Sequence, residues 1–176
     1  MNLPTWITVS RLVGAPLVLA LLLEPTPQHA WWATGIFLIA ASTDWVDGYL
    51  ARRLDQVTEL GKFLDPLVDK LLVFAPLLAL IELGRVPAWG VFLILVRELT
   101  ISGWRVNPTF QAQTIPGANL WGKSKTVVQI AAIACLLAPL PSPGELVGTV
   151  LFWIAVLLTW ISGVLYVIPR SAPEQS

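Results

Sequence analysis

The segments DWVDGYLAR, residues 44–52, and GKFLDPLVD, residues 61–69, place four aspartates in an otherwise apolar part of the chain. They are Asp44, Asp47, Asp65 and Asp69. An ionised aspartate at the centre of a membrane helix costs about 2.5–3.5 kcal/mol to insert, so four unpaired ones would cost on the order of 10 kcal/mol. That is comparable to the stability of a whole domain. The two segments therefore predict a site at which divalent cations compensate the carboxylates.

The composition is typical of a membrane protein. The 176 residues are 56% hydrophobic and only 12% charged, with a mean hydropathy of +0.73. The formal net charge is zero, which gives no support for a nucleic-acid partner. One membrane domain is expected over residues 1–170, followed by a short polar tail at 171–176.

Apolar segments of about 17–22 residues can cross a hydrocarbon core of about 30 Å. The sequence predicts six such helices, and so an all-α integral membrane protein, with spans at 5–23, 31–52, 63–82, 87–105, 120–138 and 147–168.

Positive charge predicts the orientation. If both termini are cytoplasmic, nine basic residues lie inside, Arg85 lies outside, and Lys70 lies within the third helix. This asymmetry favours that orientation by the positive-inside rule. The acidic site then lies at the cytoplasmic side of the bundle. The nine are Arg11, Arg52, Arg53, Lys62, Arg97, Arg105, Lys123, Lys125 and Arg170.

The aspartates are spaced so that each pair shares one helix face. Asp44 and Asp47 are three residues apart, and Asp65 and Asp69 are four apart. Two antiparallel helices could bring the four carboxylates together as an all-oxygen site, which suits Mg²⁺ or Mn²⁺ rather than zinc. The simpler alternative is that they pair with nearby cations at the membrane surface, namely Arg52, Arg53, Lys62 and Lys70.

Residues 44–69 resemble the signature of the CDP-alcohol phosphotransferase family, D-x2-D-G-x2-A-R-x8-G-x3-D-x3-D, at every defined position. Residues 2–11, 56–70, 97–105 and 122–126 resemble segments of the phosphatidylglycerophosphate synthases within it. The resemblance implies a homodimer of six-helix subunits that transfers a substituted phosphoryl group from a CDP-linked donor to an alcohol and releases CMP. It also implies two divalent metals, Mg²⁺ or possibly Mn²⁺, on the four aspartates, with Asp69 as general base.

The resemblance further implies substrate contacts. The expected substrates are CDP-diacylglycerol and glycerol 3-phosphate, in a bacterial-type inner membrane whose lipids surround the protein. The expected CDP-binding residues are Thr8, Gly48, Ala51, Arg52, Thr58 and Gly61. Four basic residues are expected to bind the acceptor phosphate, namely Arg97, Arg105, Lys123 and Lys125. The alternative is that they only set the topology and contact anionic lipid headgroups.

The sequence also gives expectations for two further charged residues. Arg11 either reaches the membrane surface or faces the site with Thr8, and Glu98 pairs with a neighbouring arginine.

Other functions fit the sequence less well. A cardiolipin synthase of the same fold, with phosphatidylglycerol as acceptor, is the nearest alternative. A divalent-cation transporter would need polar residues through both membrane halves, whereas the outer halves of the predicted spans contain no carboxylate except Glu82 at the end of the third span. A purely structural membrane protein leaves the four aspartates unexplained.

Overall fold

The computed structural model describes the backbone of residues 3–24, 26–54, 59–106 and 120–167, and the side chains of residues 10–24, 26–43, 66–104, 122 and 124–164. Over these ranges the chain forms six α-helices and no strand. They are α1 Leu3–Leu22, α2 Pro27–Leu54, α3 Glu59–Glu82, α4 Ala88–Val106, α5 Leu120–Leu137 and α6 Ser142–Val167.

The turns between helices follow from local chemistry. Thr26 caps α2, since its Oγ1 accepts a hydrogen bond of 3.1 Å from the backbone N–H of His29, and Pro27 occupies the first helical position. After α3, Gly84 adopts a φ of +68°. The N–H of Arg85 bonds to the carbonyl of Leu80 at 2.9 Å, which completes a Schellman motif. The start of α2 and the end of α3 lie at the same end of the bundle.

Most helices that are consecutive in the chain contact each other, and so do several that are two apart. Helix α1 contacts α2 and α3, α5 contacts α6 and α2, α4 contacts α6, and α3 contacts α2, α4 and α5. At Gly90 a Cβ would lie 2.9 Å from the Phe152 ring, so glycine allows α4 and α6 to approach closely. All six helices contribute to one buried core, which includes Val18, Phe37, Leu80, Ile94, Ile133 and Phe152.

Helix α6 has the properties of a membrane span. Its segment Ser142–Val164 has a mean hydropathy of 2.1 and is only 33% buried, unlike the core helix of a soluble protein. Large apolar side chains such as Leu146, Leu157 and Val164 are exposed along it. Such a continuous apolar surface indicates contact with lipid or another apolar partner. Among the described residues, this is the one helix that is long and apolar enough to cross a bilayer.

The predicted all-helical fold and the order of the six helices are confirmed over the described residues. The main differences lie at helix starts. Helices α2, α3 and α6 begin four or five residues earlier than predicted, at Pro27, Glu59 and Ser142. Their first turns are polar or proline-containing, so a count of apolar residues misses them. Helix α3 continues through Pro66. The six membrane spans and their orientation stay predictions, as does the single domain, whose tail at 171–176 lies outside the described residues.

Candidate active site

The backbone places the two aspartate pairs at matching depths. Helices α2 and α3 contact each other and are separated by only four residues, 55–58, which is typical of an antiparallel helical hairpin. Asp47 lies seven residues before the end of α2 and Asp65 six residues after the start of α3, about 10 Å along each helix. Asp44 and Asp69 each lie ten residues in, about 15 Å along. The register therefore suits a shared site.

The structure describes the side chain of only one of these aspartates, Asp69. No cluster of three potential metal-ligating acids, histidines or cysteines occurs among the described residues. The side chains of Asp44, Asp47 and Asp65 lie outside that set, so the four-carboxylate site stays a prediction.

Asp69 forms an ion pair with Arg11 of α1. The Nη1 of Arg11 donates a hydrogen bond of 2.6 Å to Oδ1 of Asp69. The arginine side chain is 1% exposed, whereas the aspartate is 41% exposed. Of the two expectations for Arg11, the structure supports the one in which it faces the site. The pair orients the Asp69 carboxylate, while the open side of Asp69 stays accessible.

The described chemistry of Asp69 fits a cation ligand. A carboxylate offers about four lone-pair positions, so the bond from Arg11 is compatible with a metal ion on the same group. Oxygen donors are also the ligands that Mg²⁺ prefers.

The predicted CDP-binding residues lie on helices that contact one another. Gly48, Ala51 and Arg52 are on α2, Gly61 is on α3, and Thr8 is on α1 one turn before Arg11. Thr58 lies outside the described residues, and the side chains of the other five are also outside them. Their role stays a prediction.

A second polar cluster joins α4, α5 and α6. The Nη1 of Arg97 donates a hydrogen bond of 2.9 Å to Oε1 of Glu98, and the Nζ of Lys125 donates to the same oxygen. The Nη2 of Arg97 donates a bond of 2.8 Å to Oγ of Ser162. The expected pairing of Glu98 with a neighbouring arginine is therefore confirmed. Of the four predicted acceptor-phosphate residues, Arg97 and Lys125 meet on one carboxylate, whereas the side chains of Arg105 and Lys123 lie outside the described set.

Two contributions to this cluster were not predicted from the sequence. Lys125 and Glu98 are 27 positions apart, and Ser162 follows Arg97 by 65. The available signals were a lone acid in apolar α4 and the Ser162-Gly163 pair in the most apolar helix, α6. Neither signal identifies its partner without the packing of the helices.

An apolar cavity of about 300 Å³ lies beside this cluster. It opens between α4 and α6, and its walls include Val96, Trp160, Val164 and Arg97. Because its lining is almost entirely apolar, it suits hydrocarbon rather than a phosphate. Arg97 thus lines the apolar cavity and also belongs to the charged cluster with Lys125.

The sequence of this chain is similar to those of known proteins. A profile of the CDP-alcohol phosphatidyltransferase family matches residues 1–161. A Bacillus subtilis (strain 168) protein named CDP-diacylglycerol–glycerol-3-phosphate 3-phosphatidyltransferase is 39% identical, over 92% of this chain and 91% of its own. A Mycobacterium tuberculosis protein (strain ATCC 25618 / H37Rv) named probable phosphatidylglycerophosphate synthase is 40% identical, over 94% and 80%. An Oryza sativa subsp. japonica protein named cardiolipin synthase (CMP-forming) is 36% identical, over 94% and 56%.

The chain belongs to the CDP-alcohol phosphatidyltransferase family. Its relatives carry the names of phosphatidyl-transferring enzymes rather than transporters, so the resemblance read from residues 44–69 is confirmed at the level of the family.

Proposed function

We propose that this protein transfers the phosphatidyl group of CDP-diacylglycerol to glycerol 3-phosphate, giving phosphatidylglycerol phosphate and CMP. The observation that carries the proposal is similarity to proteins named for this activity along nearly the whole of both chains. The complete signature at residues 44–69 supports the same chemistry.

The proposed cofactor is a pair of Mg²⁺ ions, for which Mn²⁺ could substitute, held by Asp44, Asp47, Asp65 and Asp69. When bound, such ions would supply positive charge that stabilises the leaving CMP and would help to position the diphosphate. The matched depths of the aspartates on α2 and α3 support this assignment. The residues proposed to bind the CDP moiety are Thr8, Gly48, Ala51, Arg52, Thr58 and Gly61.

In the proposed reaction, a hydroxyl oxygen of glycerol 3-phosphate forms a bond to the phosphorus that carries diacylglycerol. The phosphoanhydride bond to CMP breaks, and CMP leaves with that electron pair. Asp69 accepts the hydroxyl proton as general base. Its open side leaves room for the acceptor, while Arg11 holds its Oδ1 and fixes the carboxylate.

The acceptor phosphate is proposed to bind Arg97, Arg105, Lys123 and Lys125. The described pair, Arg97 and Lys125, converges on Glu98 of α4. Arginine forks and lysine ammonium groups both bind phosphate. Glycerol 3-phosphate needs such a cradle, whereas an uncharged alcohol does not.

The proposed setting is a bacterial-type inner membrane. There the chain forms a multi-pass homodimer with both termini and the active site on the cytoplasmic side. The exposed apolar surface of α6 supports the membrane setting, and the nine-to-one distribution of basic residues supports the orientation. Both substrates can reach such a site, since glycerol 3-phosphate is soluble and CDP-diacylglycerol lies in the leaflet.

A second candidate is cardiolipin synthesis, in which phosphatidylglycerol replaces glycerol 3-phosphate as the acceptor. The similarity to the rice cardiolipin synthase favours it, although this chain covers only 56% of that relative's length.

One assay separates the two candidates. Purified protein in detergent receives CDP-diacylglycerol, Mg²⁺ and either glycerol 3-phosphate or phosphatidylglycerol, and CMP release is measured. We expect CMP release that depends on glycerol 3-phosphate, with one phosphatidylglycerol phosphate formed per CMP. Turnover with phosphatidylglycerol and none with glycerol 3-phosphate would reject the first proposal in favour of the second.

A further inference from the structure

Glu98 occupies the centre of the cationic cluster. One oxygen of its carboxylate, Oε1, accepts hydrogen bonds from both Arg97 and Lys125. The side chains are 17% exposed for Glu98, 13% for Arg97 and 8% for Lys125. The carboxylate therefore links α4 to α5 within a largely dry environment.

The arginine is fixed from a second direction. Its Nη2 donates to Ser162 of α6, whose Oγ in turn donates a hydrogen bond of 3.0 Å to the carbonyl of Thr159. At Gly163 a Cβ would lie 3.1 Å from Cγ of Arg97, so glycine gives the arginine stem room to lie against α6. Three helices thus determine the position of two cations.

These contacts leave hydrogen-bonding capacity for an anion. A guanidinium has five N–H donors and an ammonium has three, whereas the bonds to Glu98 and Ser162 use three in total. The Nε of Arg97 is buried and has no hydrogen-bond partner among the described residues. The group of two cations and one anion also keeps a net positive charge.

The cluster lies on helices that contact the aspartate helix. Helix α3, which carries Asp69, packs against both α4 and α5, the helices of Arg97 and Lys125. A ligand held by Arg97 and Lys125 would therefore bind beside the helix that carries Asp69.

We propose that Glu98 is a positioning residue for the acceptor phosphate, holding Lys125 and Arg97 at the separation and direction in which their remaining donors meet one phosphate group. This inference rests on the proposed function and names the device that shapes its acceptor site. Glu98 itself does not touch the substrate.

Charge alone would predict that Glu98 weakens phosphate binding, because its negative charge repels a phosphate. Burial decides between the two. Without the Glu98 carboxylate, the side chains of Lys125 and Arg97, which are 8% and 13% exposed, would lie close together with no anion at position 98. Like charges in such a poorly solvated environment repel each other and move apart. The loss of geometry outweighs the gain in positive potential.

The test compares Glu98→Gln and Glu98→Asp with the wild type in steady-state assays of CMP release, varying each substrate in turn. We expect Glu98→Gln to raise the KM for glycerol 3-phosphate about tenfold or more. Its KM for CDP-diacylglycerol should stay within about twofold and its kcat within about threefold. Glu98→Asp keeps the charge and should recover part of the loss. The matched control is Glu82→Gln, which removes the same charge from an exposed position at the end of α3 and should leave both KM values unchanged.

Three outcomes would overturn the proposal: an unchanged KM for glycerol 3-phosphate, a lowered KM, or an equal rise for both substrates. If Glu98→Gln does not fold, Ser162→Ala provides the second arm, because it releases only the far end of Arg97 and keeps every charge. That variant should raise the KM for glycerol 3-phosphate alone, and the absence of such a rise counts against the proposal in the same way.

A binding measurement separates this inference from the proposed function. Glycerol 3-phosphate should raise the thermal stability of the wild type and raise that of Glu98→Gln much less. A wild type that neither turns over glycerol 3-phosphate nor is stabilised by it would reject both the function and the inference. A wild type that does both, beside a Glu98→Gln variant with unchanged values, would reject the inference alone.

Discussion

The ion pair between Arg11 and Asp69 permits a quantitative prediction for Asp69→Asn. Asparagine keeps an oxygen that can accept the bond from Arg11, so the substitution removes the charge and little else. A hydrogen bond to a charged group contributes about 1.5–3 kcal/mol and a neutral one about 0.5–1.5 kcal/mol. Because the aspartate is 41% exposed, solvent screens the pair, and we expect the lower end of the difference, about 1 kcal/mol.

That energy must be separated from repulsion among the aspartates, which the same substitution relieves. A double-mutant cycle does so by introducing Asp69→Asn into the wild type and into Arg11→Met. Relief of repulsion occurs in both backgrounds and cancels. The remaining coupling of about 1 kcal/mol corresponds to about 2–4 °C in Tm for a chain of this length.

The assay is thermal unfolding in detergent with chelator present, because a bound metal would add its own stabilisation. The exposed Glu82→Gln variant should show no coupling to Arg11→Met. If Asp69→Asn shifts Tm by the same amount in both backgrounds, the ion pair does not orient Asp69 and our account of Arg11 is wrong. We also expect Asp69→Asn to abolish turnover while the protein stays folded.

Three further predictions concern glycine positions and metal. Gly163→Ala should raise the KM for glycerol 3-phosphate several-fold by displacing Arg97. The control is Gly35→Ala, where a Cβ meets nothing within 4 Å and the KM should stay unchanged. Equal effects in both variants would contradict the role of the contact between Gly163 and Arg97. Gly84→Ala should lower the free energy of unfolding, measured by chemical denaturation, by about 1 kcal/mol, because φ is +68° there. Gly84→Asn should lower it by less. Chelation should abolish CMP release and Mg²⁺ should restore it, and turnover that persists with chelator would exclude the metal mechanism.

The sequence predicted most of the fold because the relevant signals are local. The length of the apolar segments located all six helices, and the turn at Gly84 lies between two of the predicted spans. The errors at the starts of α2, α3 and α6 arise because polar first turns are stabilised by capping, as by Thr26, rather than by burial.

Interhelical partners were harder to predict. The spacing of the aspartates indicated a shared face on each helix, but the partner of Asp69 is 58 positions away on α1. For Arg11 the sequence left two outcomes open, namely reaching the membrane surface or facing the site, because a long arginine side chain can do either. Its burial to 1% follows from how α1 packs against α3, which no local pattern specifies. The same reason accounts for the bonds from Lys125 to Glu98 and from Arg97 to Ser162.

The central claim is that the aspartates of α2 and α3 share a pair of divalent ions, and anomalous diffraction from crystals grown with Mn²⁺ tests it directly. We predict two anomalous peaks about 3.5–4 Å apart between α2 and α3, each in contact with carboxylates of Asp44, Asp47, Asp65 or Asp69, and loss of at least one peak in Asp69→Asn. Absence of both peaks, with the four carboxylates turned toward lipid, would contradict the account.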